Sequence, residues 1–230
     1  MYFNSLMKNK FKIPMSIYKI IILTIFIGTS VYSSYGQTDF KPIPESQLTS
    51  LKAQIKAKNE QINTLTCPFS QTKHLSMLKN PAVSEGIMYF KKTSQFRWEY
   101  TNNPRFIFAQ NGQTIYTKSG DQVQIVKDNS ALLYQEISKL VIQSVNGSIL
   151  ENSKEFTTQY EENKKYIKIV LTPKQRNVKK FISSIHLLLD KKSFLASQII
   201  MNEPNGDYTT IKFDNISVNQ PINESLFILK

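Results

Sequence analysis

The chain has 230 residues, a formal net charge of +12, one cysteine and two histidines. This length suits a single domain with one core, and the lone cysteine excludes an intramolecular disulfide, so stability must come from packing. One cysteine and two histidines at this spacing make no tetrahedral zinc site, and the sequence lacks both a glycine-rich phosphate loop and a G-x-S-x-G motif. We therefore expect no metal, no cofactor and no catalytic residue.

The N-terminal segment has a cationic start, a short apolar middle and a small-residue end. Four lysines and no acid precede or adjoin the run Ile20–Ile27, and small and polar residues follow as far as Gly36. This order is typical of a secretory signal peptide, and the run is short of the roughly 20 residues that span a bilayer. An uncleaved anchor is the alternative. We predict a cleaved signal peptide over 1–36, a linker over 37–45 and one domain over 46–230.

The predicted domain begins with a helix and continues as short strands. Apolar residues recur at helical spacing over 46–61, among lysines and glutamines. Alternation of apolar and polar residues then predicts strands, and Asn111-Gly112 between two of them is a strong hairpin signal. The predicted strands cover 64–75, with a bulge or sheet edge at Pro68, then 85–91, 95–100, 105–110, 113–118, 121–126, 155–160, 165–171, 181–190, 194–202 and 208–216.

The interval between the two groups of strands contains one amphipathic helix, predicted over 128–147. Asp128 or Ser130 can cap its start, and Asn146-Gly147 provides its end. Its apolar residues share one face, which must rest on the sheet. These residues are Leu133, Ile137, Leu140, Val141 and Val145.

Short connections between the strands make neighbouring strands antiparallel. Twist accumulates across so many strands, so the sheet must curl, and a curled sheet that stays open needs a cover over its concave face. The two helices are the obvious cover. The predicted fold is therefore mainly β with helices (α+β): a curled, unclosed antiparallel β-barrel of about 10–11 strands capped by helices.

Large apolar side chains alternate with polar ones on adjacent predicted strands. Arg97 and Glu99 lie on the face opposite the aromatic rings, where we expect them to contact water. The rings suit either an ordinary core or the wall of an apolar binding cavity, because a cavity wall is the inner face of the core. The candidate lining residues are Met88, Phe96, Trp98, Phe106 and Phe108.

Five short motifs follow one another in order between about residues 45 and 227. They are Phe69-Ser-Gln71, Gly86, Phe96-Arg-Trp98 followed by Tyr100 and Pro104, Asn111-Gly112, and Leu171-Thr-Pro-Lys174. In order and spacing, this set resembles the periplasmic outer-membrane lipoprotein carriers of Gram-negative bacteria, the LolA family.

The resemblance implies a carrier that is not an enzyme. Acyl chains of a lipoprotein would enter an apolar cavity and travel from the inner to the outer membrane. The helix over 128–147 would be the lid, closed by Leu133, Ile137, Leu140 and Val141. Lys92 stands where the family often has an arginine that holds the lid, so we expect Lys92 to latch the lid or to meet a lipid headgroup.

The resemblance also implies the partners of the protein. They are lipoprotein acyl chains, an inner-membrane lipoprotein-releasing ABC transporter and an outer-membrane acceptor, with the protein itself a monomer in the periplasm. No nucleic acid is expected, because the paired lysines suit solvated strand ends.

Three other functions stay open. They are carriage of a glycolipid, fatty acid or pigment lipid, sensing of mislocalised lipoprotein, and an esterase activity. The last is disfavoured, because nothing in the spacing brings His74 or His186 to Cys67.

Overall fold

The computed structural model describes residues 39–92, 94–102, 105–127, 141–143 and 155–230. The predicted signal peptide over 1–36 lies outside the described residues. So does the predicted lid over 128–147, except for residues 141–143, which are helical.

The described part of the chain is dominated by strands, as the alternating pattern predicts. One helix, which corresponds to the helix predicted over 46–61, precedes all of them except the two-residue β1. The elements in chain order are β1 (Lys41–Pro42), α1 (Glu45–Glu60), β2 (Thr64–His74), β3 (Ala82–Lys91), β4 (Gln95–Tyr100), β5 (Phe106–Asn111), β6 (Thr114–Ser119), β7 (Gln122–Val126), β8 (Phe156–Glu162), β9 (Tyr166–Pro173), α2 (Arg176–Lys179), β10 (Ser184–Asp190), β11 (Ala196–Asn202), β12 (Tyr208–Phe213), β13 (Ser217–Val218) and a 3-10 helix (Glu224–Phe227).

The thirteen strands of the described residues form one antiparallel sheet. Its order is β1-β8-β9-β10-β11-β12-β2-β3-β4-β5-β6-β7, and β13 pairs with β2 beyond the end of β12. The path has two ends, β1 and β7, so the sheet is not closed. Eleven of the strands are longer than two residues and correspond to the eleven predicted ones. The predicted fold class is confirmed: an α+β protein built on a curled, unclosed antiparallel sheet.

Pro68 lies in the centre of the sheet, where its missing N–H requires an interruption of the pairing. On one side of β2, β12 ends with Phe213 opposite Phe69. Pairing resumes with Ser217 of β13 opposite Thr66. Pro68 therefore faces the break between β12 and β13, which is the form that the predicted irregularity takes.

The inner face of the sheet is defined here as the face that carries the main hydrophobic core. Every second residue of the central strands points into it, as Ile167, Ile169 and Leu171 of β9 do. Leu48 and Ile55 of α1 are buried in the same cluster. Helix α1 therefore covers part of the inner face.

The two ends of α1 are tied to different parts of the sheet. Before the helix, the Ile43 N–H donates to the carbonyl oxygen of Tyr160 on β8, at 3.0 Å. After it, the carbonyl oxygen of Asn63 accepts from the N–H of Lys92, just beyond β3, at 2.8 Å. The helix thus spans from β8 to the end of β3.

The outer face of β4 is also buried, contrary to the expectation that Arg97 and Glu99 contact water. Arg97 is 7% exposed and Glu99 is 6% exposed. The 3-10 helix packs on β4 and β5, and the Arg97 Nη1 donates to the carbonyl oxygen of Leu226 at 2.7 Å. Alternation correctly separates these residues from the rings, but a segment distant in the sequence covers them.

Candidate functional site

The five predicted lining residues meet on the inner face of β3, β4 and β5. Met88 is paired in register with Trp98, and Trp98 with Phe108, so the three form a row across the strands. Phe96 is buried beside them, with its ring centroid 5.7 Å from that of Phe108. Phe106 is partly buried against the same cluster. The structure thus brings the five side chains together, and their role in lipid binding stays a prediction.

Phe69 belongs to this cluster as well, although the sequence motif alone gave it no place there. Its ring stacks on Trp98 with centroids 3.9 Å apart, and it meets Tyr100 edge-on at 5.6 Å. The signal that could have placed it is the alternation of Leu65, Cys67 and Phe69, which share one face of β2. The rings that contact one another across these strands are called the aromatic wall: Phe69, Phe96, Trp98, Tyr100 and Phe108.

Gly86 makes this wall possible, because Phe69 lies across it. A Cβ atom at Gly86 would come within 2.1 Å of the Glu99 carbonyl oxygen and 2.3 Å of the Phe69 Cζ. Real Cβ atoms do not approach so closely. The absence of a side chain at Gly86 therefore allows the Phe69 ring on β2 to reach Trp98 on β4.

One of the four predicted lid residues lies within the described residues. Val141 is partly buried, and with Ile142 it packs against the main hydrophobic core. Leu133, Ile137 and Leu140 lie outside the described residues. The contact at Val141 is consistent with a helix that rests on the sheet, and the lid stays a prediction.

Lys92, the predicted latch, stands at the C-terminal end of α1. Its Nζ donates to the carbonyl oxygen of Glu60 at 2.9 Å. A cation at this position satisfies a terminal carbonyl and complements the helix dipole. Within the described residues, Lys92 thus contacts the C-terminal end of α1. Its role toward the lid or a lipid headgroup stays a prediction.

In the described residues, the contacts of the two histidines are with residues other than Cys67. His74 stacks on Tyr208 with ring centroids 4.2 Å apart. His186 Nε2 lies 3.2 Å from the Ser184 Oγ. Cys67 is fully buried, and its Sγ lies 3.2 Å from the carbonyl oxygen of Pro68. Burial first, and then the charge of Asp214, raise the pKa of Cys67 to about 12.

We expect the Cys67 thiol to be unreactive in the native protein, because the thiolate is the nucleophile and burial suppresses it. The measurement is the rate of reaction with an aromatic disulfide reagent at mildly alkaline pH. The thiol should react only after unfolding in guanidinium chloride. Reaction of the native protein at the rate of free cysteine would contradict this expectation.

The part of the chain that the structure describes contains neither a candidate metal site nor a helix that could span a membrane. Within those ranges, no group of three or more His, Cys, Asp or Glu residues is placed to hold a metal ion. The helices there also lack the length and apolar character that crossing a membrane requires.

Residues 60–230 match the family model described as "Outer membrane lipoprotein carrier protein LolA". Among curated protein sequences, none matches the chain significantly. An uncharacterized conserved protein from Thermus thermophilus is similar in structure, with TM-score 0.51, 9% identity, and 80% of this chain and 94% of that chain covered. The MucA/MucB complex of Pseudomonas aeruginosa is also similar in structure, with TM-score 0.50 and 11% identity. The match covers 79% of this chain and 60% of that chain. This chain thus spans 60% of the matched chain of that complex, and at such identities both likenesses concern the fold.

Proposed function

The chain belongs to the family of outer membrane lipoprotein carrier proteins, LolA, and from this premise we propose that it is a periplasmic carrier of lipoproteins. It binds their acyl chains in an apolar cavity and transfers them from the inner to the outer membrane. The observation that supports the proposal is the aromatic wall of β2, β4 and β5, with Phe69 stacked on Trp98, on a face that helical residues also contact.

The proposed mechanism is an exchange of apolar contacts. Burying one lid side chain is worth roughly 1.5–3 kcal/mol, so the stripe of Leu133, Ile137, Leu140 and Val141 can hold the lid closed by several kcal/mol. An acyl chain gains about 0.8 kcal/mol for each CH₂ that it buries. Two or three chains can therefore displace the lid, and the cycle requires no covalent chemistry.

The proposal assigns the flanking steps to other components. Residues 1–36 direct export, an inner-membrane lipoprotein-releasing ABC transporter delivers the cargo to a monomeric carrier, and an outer-membrane acceptor receives it. Lys92 latches the lid or meets the headgroup in this scheme.

A second candidate function is the carriage of another amphiphile between the membranes. The observation that favours it is a buried lysine on the inner face, Lys73, which is 5% exposed. An apolar wall that ends in a cation suits a lipid with a charged head better than it suits a plain hydrocarbon.

We expect lipids with brominated acyl chains to quench the fluorescence of Trp98. Trp98 is the single tryptophan of the chain and is 8% exposed on the aromatic wall, so its emission reports this site alone. Phe108→Ala should weaken binding about tenfold, because it removes roughly 1.5 kcal/mol of apolar contact. Purified lipoprotein should then displace the brominated lipid.

The matched control is Ile125→Ala on the edge strand β7, where the side chain is 54% exposed and the titration should not change. Circular dichroism verifies that both variants are folded, and Phe108→Leu, which preserves apolar volume, should lie between Phe108→Ala and the wild type. Absence of quenching by any acyl chain would refute the proposal. Binding of lipoprotein without transfer to outer-membrane vesicles would instead favour a sensing module.

A photoreactive residue placed at Leu140 extends this test to living cells. Light should attach lipoprotein or lipid to it, whereas the same residue at Ile125 should remain unmodified.

A further inference from the structure

One end of the inner face is polar, unlike the aromatic wall beside it. Lys73, Ser84 and Thr209 are each 5% exposed. Lys73 is paired in register with Thr209, and Gln71 with Ser84. The hydroxyl of Tyr100 donates to the Gln71 Oε1 at 3.1 Å. These five residues, on the neighbouring strands β12, β2, β3 and β4, are called the inner polar patch.

Alternation along β2 places the patch on the same face as the aromatic wall. Phe69, whose ring stacks on Trp98, precedes Gln71 by two residues and Lys73 by four. Successive odd-numbered residues of a strand share a face. The patch therefore continues the wall directly along β2.

The patch also lies away from the point where the C-terminal end of α1 is tied to β2 and β3. Helix α1 is tied to the sheet next to the start of β2, through Asn63. A strand rises about 3.3 Å per residue, so Lys73 lies roughly 30 Å further along β2 than Thr64. Along β2, the inner face thus runs from an apolar end beside α1 to a polar end that holds Lys73.

Lys73 has the chemistry of an anion-binding group. Its ammonium lies 3.5 Å from the Glu203 carboxylate in the turn between β11 and β12. Among the described residues, Glu203 is the one acid within salt-bridge distance of it. An ammonium has three donors, so this contact leaves donor capacity for a ligand. A buried charge of this kind is costly unless it is paired, so a ligand anion would take the place of Glu203 beside the ammonium. Asp207 is a second acid near Lys73: the hydrogen bond from the Ser76 N–H first, and the charge of Lys73 last, hold the pKa of Asp207 below its usual value.

We propose that the inner polar patch binds the anionic head of an amphiphile, a carboxylate or a phosphate, while the chain of that amphiphile lies along the aromatic wall. Lys73 supplies the charge, and the hydroxyl of Thr209, its partner on β12, is the second donor. Glu203 holds the ammonium in the empty protein and competes with the ligand for it. This inference rests on the proposed function for the apolar cavity, and it extends the cargo to anionic lipids.

The test compares hexadecanoate, hexadecyl phosphate and hexadecanol as competitors of a brominated lipid, with Trp98 fluorescence as the readout. The wild type should bind the two anions more tightly than the alcohol. Lys73→Gln should weaken binding of both anions by about tenfold to a hundredfold and leave binding of the alcohol unchanged. Lys73→Arg should retain the preference for anions.

Glu203→Gln gives the sharpest outcome, because it should tighten binding of the anions by removing their competitor. If the Lys73–Glu203 contact served only the fold, both variants would lower stability and neither would change the order of the three ligands. The matched control is Lys168→Gln. Lys168 pairs with Glu161 at 2.9 Å on the outer face of β9, and its loss should leave all three affinities as they are.

Each outcome separates this inference from the proposed function. Equal affinities for the three ligands, or a preference unaffected by Lys73→Gln, would overturn the inference while the carrier function stands. Failure of all three to bind would instead overturn the carrier function. Inorganic phosphate should not compete. Competition by phosphate as strong as that by hexadecyl phosphate would make the patch an ion site and also overturn the inference.

Discussion

Gly86→Ala is expected to lower the free energy of unfolding by about 3 kcal/mol, at the upper end of the usual cost of overpacking. The added Cβ would meet a backbone oxygen of Glu99 at 2.1 Å, and backbone atoms in the middle of a sheet cannot move aside cheaply. It would also displace the Phe69 ring from Trp98. Urea denaturation measures the stability, and near-ultraviolet circular dichroism of Trp98 reports the loss of stacking.

The matched control is Gly112→Ala in the turn between β5 and β6. Gly112 has a φ of 61°, and nothing lies within 4 Å of the position of an added Cβ. Only the left-handed backbone conformation opposes this change, at a cost of roughly 1 kcal/mol, and the Trp98 signal should not alter. If Gly86→Ala proved no more harmful than Gly112→Ala, the close approach of Phe69 to β3 would be wrong.

Glu99→Gln is expected to cost about 3–5 kcal/mol of stability, because it leaves a buried guanidinium without its anion. The Glu99 Oε2 accepts from the Arg97 Nε at 2.9 Å and Nη2 at 2.7 Å, and the Arg105 Nε donates to Oε1 at 2.9 Å. Arg97 is covered by Leu226 and cannot recover the loss by contact with water. Urea denaturation again measures the change.

Two further variants show whether burial is the cause. Arg97→Met combined with Glu99→Leu should be more stable than Glu99→Gln, since removing both charges avoids an unpaired one. Glu162→Gln removes half of the partly exposed pair between Lys191 and Glu162, and should cost at most about 1 kcal/mol. Equal losses from Glu99→Gln and Glu162→Gln would contradict the proposed effect of burial.

Glu99 should also contribute to acid sensitivity. Burial tends to raise the pKa of Glu99, but the hydrogen bonds and charges of Arg105 and Arg97 outweigh it and hold that pKa below its usual value. A carboxyl group of this kind stabilises the fold above its unfolded pKa, and the contribution disappears as the pH falls through the folded value. Glu99→Gln should therefore lose less stability than the wild type over that acidic range.

Local patterns in the sequence account for most of the strands and for the pairing of chain neighbours, but not for the pairing of β2 with β12. The pairing of Phe69 with Phe213 joins distant parts of the chain, and no periodicity indicates it. The two-residue strands β1 and β13 are too short to show any alternation. The Asn111-Gly112 turn, in contrast, is decided locally, because Gly112 adopts the positive φ that this turn requires.

Within the site, alternation identifies the face of a side chain but not what covers that face. It placed Arg97 and Glu99 opposite the rings, yet the covering residues near Phe227 lie far away in the sequence. It also places Lys73 beside Phe69 on the inner face, but a lysine near a strand end usually indicates solvent. Both cases concern charged residues, whose burial depends on distant partners.

The position of β2 between β3 and β12 has a consequence for folding kinetics. Strands β2 to β7 and strands β8 to β12 are two meanders in which each strand pairs with its neighbour in the chain. These hairpins form from local contacts, whereas the seam between β2 and β12 must close a very long loop. Joining the two preformed halves along that seam should therefore set the rate at which the unfolded chain reaches its native state.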